Sequence, residues 1–91
     1  MSPSHSRPWW VYILRCGDGT LYTGIALDVL ARLAQHRAGA GARYTRGRKP
    51  LELVCQEAST SRSAATRREA AIKRCSREQK LAMIHSMGMP E

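Results

Sequence analysis

An α+β domain, with a small three-stranded antiparallel sheet flanked by helices, is predicted for this 91-residue chain by three observations. Two β-favouring runs, "WWVYILR" from Trp9 and "TLYTG" from Thr20, are separated by the turn residues "CGDG". A third alternating run, "LELVCQE" from Leu51 to Glu57, stands apart from them. Capped stretches with apolar residues at helical spacing lie between and after these runs, giving the order strand, strand, helix, strand, helix, helix.

Residues 1–8, "MSPSHSRP", are polar and Pro-rich and read as a flexible tail, with residues 9–88 forming one domain of a length that supports a single core. The hairpin that follows sets the register. A three-residue loop at Gly17-Asp18-Gly19, with Gly19 left-handed, pairs Leu14 with Tyr22 and Tyr12 with Gly24, so both tyrosines share a face. A two-residue loop would place them on opposite faces.

Asp28 is the expected N-cap of a helix to about Ala38, ended by Gly39 or Gly41, with Val29, Leu30, Leu33 and Ala34 as its apolar arc. Arg32 and His36, four apart, fall together at the margin of that arc. "RYTRGRKP" then reads as a basic loop before the third strand. Thr60 or Ser61 caps the next helix, expected to bury Ala64, Ala65, Ala71, Ile72 and Cys75, with Glu69 and Lys73 on the adjoining edge. Ser76 followed by Gln79 is a capping box for a last helix through about His85.

Lys and Arg number 15 against seven Asp and Glu, a net charge of +8, and the charge is concentrated. Arg43, Arg46, Arg48 and Lys49 crowd one loop, and further cations lie between Arg62 and Lys80. This argues for a polyanionic partner. The apolar run from Trp9 to Leu14 is strand-sized, which excludes a membrane span and favours nucleic acid over a lipid surface. Cys16, Cys55 and Cys75 are widely spaced, without zinc-ligand spacing, and read as reduced core residues of a cytoplasmic protein. The loop cations Arg43, Arg46, Arg48 and Lys49 suit backbone phosphates, and Tyr44 suits stacking on an exposed base.

Individually, Tyr12, Tyr22, Arg32, His36 and Glu69 are ordinary residues of strands and helix edges; their order is not. Val11-Tyr12, Tyr22-Thr23-Gly24, Arg32-x-x-x-His36 and a later helical Glu69 resemble the GIY-YIG nuclease superfamily from about Trp9 to Lys80. The small stand-alone YhbQ-like members are the nearest likeness, which includes "YTRGRKP" from Tyr44 to Pro50. Trp10 stands where the first motif has Gly and Thr23 where the second has Ile. The chain has no Asn, whereas the family often carries one after the Glu helix.

The resemblance implies an endonuclease that hydrolyses phosphodiester bonds in DNA with one divalent cation, Mg²⁺ or Mn²⁺, structure-directed or weakly specific. It implies Glu69 as the metal ligand and Arg32 as the grip on the scissile phosphate. One tyrosine, Tyr22 in preference to Tyr12, is the general base, while the other holds phosphate or water. His36 accepts the tyrosine proton or hydrogen-bonds to it, and phosphate positioning without Asn falls to Lys73 or the loop arginines. The alternative is a non-catalytic nucleic-acid-binding module, on DNA or RNA, that retains the fold. Without a separate DNA-reading module, a partner protein is the other route to targeting.

Overall fold

The structure, a computed structural model, describes residues 8–87. The tail expected over residues 1–8 therefore lies, apart from Pro8, outside the described residues, as does Gly88 at the far end of the expected domain. The hairpin pairs β1 (Trp9–Arg15) with β2 (Leu21–Ala26). Gly19 adopts φ 86°, Cys16 N–H donates to Thr20 O at 2.8 Å, and Gly19 N–H donates to Cys16 O at 2.9 Å. This three-residue loop pairs Leu14 with Tyr22 and Tyr12 with Gly24, which puts both tyrosines on one face.

β3 (Glu52–Ser59) begins one residue later than expected and continues to Ser59. It pairs antiparallel with β1 to give the order β2-β1-β3, so β1 is central. Coverage on both faces explains its nearly continuous apolar sequence, with Val11, Tyr12, Ile13 and Leu14 all buried. Leu14 pairs with Leu53 and Ile13 with Cys55, which leaves Val54 as an extra residue in β3. That bulge lets Val54 and Cys55 enter the same apolar cluster although they are adjacent in sequence.

α1 (Val29–Arg37) starts where Asp28 Oδ1 accepts from Ala31 N–H at 3.0 Å, and Gly39, at φ 81°, follows its end. Its buried stripe corrects the expected arc. Val29, Leu33 and His36 face inward, whereas Leu30 is 71% exposed and Ala34 is also exposed. The stripe follows i, i+4, i+7 spacing, because His36 finds polar partners beneath the helix that allow an imidazole to occupy a core position.

On the other face, α2 (Arg62–Lys73) is capped by Ser61, whose Oγ accepts from Ala64 N–H at 3.0 Å. Its fully buried residues are Ala65 and Ile72; Ala64, Ala71 and Cys75 are only half-buried. α3 (Arg77–Met87) opens on the expected box: Ser76 N–H donates to Gln79 Oε1 at 2.8 Å and Gln79 N–H donates to Ser76 Oγ at 3.1 Å.

The sheet thus separates two apolar clusters. Tyr12, Leu14 and Ala26 pack with Val29 and Leu33 of α1, and Val11, Ile13, Val54 and Cys55 pack with Ala65 and Ile72 of α2. Met83 and Ile84 of α3 add to the second cluster. Cys16 and Cys55 are buried, Cys75 is half-buried, and none forms a disulfide. Among the described residues no helix is long and apolar enough to cross a membrane.

Candidate active site

β1 and β2 carry Tyr12 and Tyr22 on the α1 face, and Gly24 opens a passage between them. A Cβ at Gly24 would lie 2.6 Å from Tyr12 Oη, 2.8 Å from its Cζ and 3.1 Å from Tyr22 Cε2. The Tyr12 phenol therefore crosses over Gly24 of the edge strand, and the bare backbone there is a steric requirement. His36 completes the cluster from α1. Its ring centroid lies 6.0 Å from that of Tyr12 and 5.3 Å from that of Tyr22, and the two tyrosine centroids are 6.3 Å apart.

Polar contacts hold this ring cluster. Tyr12 Oη and His36 Nε2 are 2.8 Å apart, and His36 Nδ1 lies 3.0 Å from Thr45 Oγ1. His36 is fully buried, not marginal as its position four residues from Arg32 suggests, and Thr45 is 1% exposed. The basic loop accordingly contains a core residue: Arg43–Thr45 forms a single 3₁₀ turn that brings Thr45 under α1.

Arg32 of α1 and Glu69 of α2 both act on the cluster through their charge. The Arg32 guanidinium donates to Gln35 Oε1 at 2.7 Å and acts electrostatically on both Tyr12 and His36. Glu69 lies between Ala65 and Ile72 at helical spacing, in the stripe of α2 that faces the sheet, and its charge acts on Tyr12. Lys73, one turn later, holds Glu69 Oε2 at 3.2 Å.

Burial, and next the neighbouring Tyr22, push Tyr12 up to about 12, with Arg32 offsetting this in part and Glu69 adding slightly. Tyr12 is therefore a phenol at neutral pH. Burial, and next the Arg32 charge, lower His36 below its ordinary 6.5, so its imidazole is neutral there.

The second shift has a measurable consequence. As pH falls below about 6.5 the unfolded chain takes up a proton before the folded one does, so the stability contributed above that pH is lost on acidification. A melting series from about pH 8 to about pH 5 is expected to show this decline, and His36→Gln to flatten it. An equal decline in the variant would assign the effect to other groups.

The loop residues divide. Arg43, Arg46 and Lys49 are exposed. Arg48 is engaged: it forms an ion pair with Asp18, and its guanidinium carbon lies 4.3 Å from the Tyr44 ring centroid. Tyr44 in turn lies 5.7 Å from Tyr22 at 31°, with 41% of its surface exposed. Asp18 also accepts from the Thr20 hydroxyl at 2.6 Å and the Thr20 N–H at 3.1 Å, bonds that together with Arg48 hold its carboxyl below the ordinary carboxylate range. The hairpin turn is thus tied through Arg48 and Tyr44 to Tyr22.

Among the described residues no three His, Cys, Asp or Glu side chains cluster as a metal cage. Glu69 is the carboxylate whose charge acts on Tyr12. One carboxylate suits Mg²⁺ or Mn²⁺ when water and phosphate oxygens fill the other positions, so the donors fit a cation held jointly with a nucleic-acid phosphate.

Thr45, Gly41 and Asp18 are the contributors that sequence reading missed. Thr45 carries no periodic signal, and Asp18 reads locally as a turn residue. Gly41 reads as a helix stop, yet a Cβ there would overlap His36 Nδ1.

Comparison with known proteins gives a consistent result. The family model of the GIY-YIG catalytic domain matches residues 8–82. A UPF0213 protein of Cupriavidus pinatubonensis is 49% identical over 88 residues, covering 97% of this chain and 98% of the relative. One of Halobacterium salinarum is 53% identical over 74 residues, covering 81% and 96%. The solution structure of a UPF0213 protein from Bacillus halodurans superposes with a TM-score of 0.59 at 44% identity, covering 90% of this chain and 87% of that one. A solution structure from E. faecalis gives 0.59 at 35% identity, covering 94% and 95%.

Proposed function

Because the chain belongs to the GIY-YIG catalytic-domain family, and within it to the UPF0213 group, we propose that it hydrolyses phosphodiester bonds in DNA with one divalent cation. The observation that carries this reading is the packing of the Tyr12 phenol and the Tyr22 ring over Gly24, with the Arg32 and Glu69 charges near enough to act on Tyr12. A phosphodiester needs a group that grips its anionic oxygens, a base for the attacking water and stabilisation of the departing oxygen. Arg32 supplies the grip through its planar fork of donors.

Tyr12, buried and held as a phenol, donates to a phosphate oxygen and is a poor base. Tyr22, the less enclosed of the pair, is the general base. Water oxygen attacks phosphorus, its proton passes to the Tyr22 oxygen, and the bond from phosphorus to the leaving oxygen breaks, that oxygen taking its proton from solvent. Glu69 would hold Mg²⁺ or Mn²⁺, which when bound offsets the charge of the phosphate and of the leaving oxygen. Lys73, which neutralises Glu69 at 3.2 Å, turns to the phosphate when the carboxylate takes the cation.

A second reading, a nucleic-acid-binding module without turnover on DNA or RNA, draws on two of the same observations. Glu69 already has Lys73 as its counter-charge, and Tyr12 is a phenol at neutral pH. A panel of single-stranded, duplex, nicked, flapped and branched substrates, with Mg²⁺, Mn²⁺ or chelator, separates the two. Cleavage that depends on added cation and is strongest on branched or nicked forms is the expected result. Tight, salt-dependent binding with no cleavage on any substrate would favour the second reading.

Binding itself is expected to be electrostatic. Replacing the exposed Arg43, Arg46 and Lys49 together by Ala should reduce the slope of log affinity against log salt. The expected reduction is about 0.9 per lost phosphate contact on duplex and about 0.7 on single strands. An unchanged slope would remove this loop from the interface.

A further inference from the structure

Resting on that reading of Tyr12 as a phosphate donor, we propose that Thr45 and the Ala42 amide fix His36 with its proton on Nε2, aimed at Tyr12 Oη. Thr45 is then a positioning residue of the site. His36 Nδ1 lies 3.0 Å from Thr45 Oγ1 and receives the backbone N–H of Ala42 at 3.3 Å. A backbone amide can only donate, so Nδ1 presents its lone pair and the single proton of a neutral imidazole resides on Nε2.

The neighbouring donors agree with this assignment. Ala42 O receives the Thr45 backbone N–H at 3.1 Å and so does not depend on the Thr45 hydroxyl, whose proton can serve Nδ1. The hydroxyl could instead turn to Ala42 O, 2.8 Å away. It would then meet Nδ1 only as an acceptor, and that requires an Nδ1 proton facing the Ala42 N–H. Two opposed N–H groups in a buried site are costly. Gly41 closes the cradle, since any side chain there would overlap the imidazole.

Two consequences follow for the site. His36 Nε2–H donates to Tyr12 Oη at 2.8 Å, so the imidazole holds the phenol oxygen and does not receive a tyrosine proton. The hydroxyl proton of Tyr12 is then directed away from His36, where a bound phosphate can accept it. Thr45 also lies between Arg43 and Arg46, so the loop that meets backbone phosphates is the segment that orients Tyr12 through His36.

The test is ¹⁵N–¹H NMR of the imidazole nitrogens in the full chain at neutral pH, which needs no turnover. Wild type and Thr45→Ser are expected to show one neutral tautomer protonated on Nε2. Thr45→Val is expected to show mixed tautomers and, in cleavage assays, a kcat lower by on the order of 10- to 100-fold with KM little changed; Thr45→Ser restores kcat. An Nδ1-protonated ring in wild type, or a wild-type tautomer and kcat in Thr45→Val, overturns the proposal. A protein that cuts no substrate yet shows the Nε2 tautomer, with mixing in Thr45→Val, would sink the nuclease reading and leave the positioning intact.

Discussion

Glu69→Gln is expected to lower cation-dependent cleavage by at least ~10²-fold while nucleic-acid binding is retained or tightened. Glu69 is the one carboxylate of the proposed site, and the amide that replaces it is nearly isosteric but carries no charge for a divalent cation. Lys73, now 3.2 Å from the carboxylate, loses its counter-charge and becomes available to phosphate, which is why affinity should not fall. Folding is little affected: the pair is an i,i+4 contact with Lys73 half exposed, worth about 0.3–0.5 kcal/mol. Single-turnover cleavage and fluorescence anisotropy on one labelled substrate measure the two effects separately. A near-wild-type rate in this variant would place hydrolysis away from Glu69 and remove the proposed site.

Gly24→Ala is expected to damage stability and cleavage together. The new methyl would lie 2.6 Å from Tyr12 Oη and 2.8 Å from its Cζ, closer than real carbon contacts allow, and a tight 3.1 Å from Tyr22 Cε2. Gly24 is not among the glycines with positive φ, so the penalty is steric. Tyr12 is 1% exposed and hydrogen-bonded to His36, so it has little room to withdraw.

Overpacking of this kind costs about 1–3 kcal/mol, and in a chain of this size each kcal/mol lowers Tm by about 4–8 °C. Displacing the phenols should lower cleavage by on the order of 10²-fold. Gly19→Ala is the matched control. Its φ of 86° makes any side chain strained, yet no atom lies within 4 Å of the added Cβ, so stability should fall with cleavage per folded molecule retained. Equal cleavage by the two variants would separate Gly24 from the site.

The hairpin shows how far local reading extends. Strand alternation reduced the hairpin to two registers, and the three-residue Gly17-Asp18-Gly19 loop selects the one that pairs Tyr12 with Gly24, because side-chain direction in a two-stranded ribbon follows from register. Helix ends were equally legible, since Asp28, Ser61 and Ser76 satisfy orphan amides within three residues of themselves. The helix α1 face was read less well. Leu30 and Ala34 belong to the periodic apolar pattern but lie outside the buried stripe, whereas His36 lies inside it. Hydropathy places an imidazole at the surface, and only its partners, Tyr12 and Thr45, make burial affordable.

What the sequence by itself determined is the order of elements, the caps and the concentration of positive charge, because each depends on neighbours a few residues apart, whereas the shared face of Tyr12 and Tyr22 waited on the loop the hairpin adopts. Tertiary structure alone decided that Thr45 supports His36, that Asp18 and Tyr44 engage Arg48, and that Glu69 acts on Tyr12 from α2. Those contacts join residues from separate elements, and the geometry that selects them exists only once α1 and α2 have packed on opposite faces of the sheet.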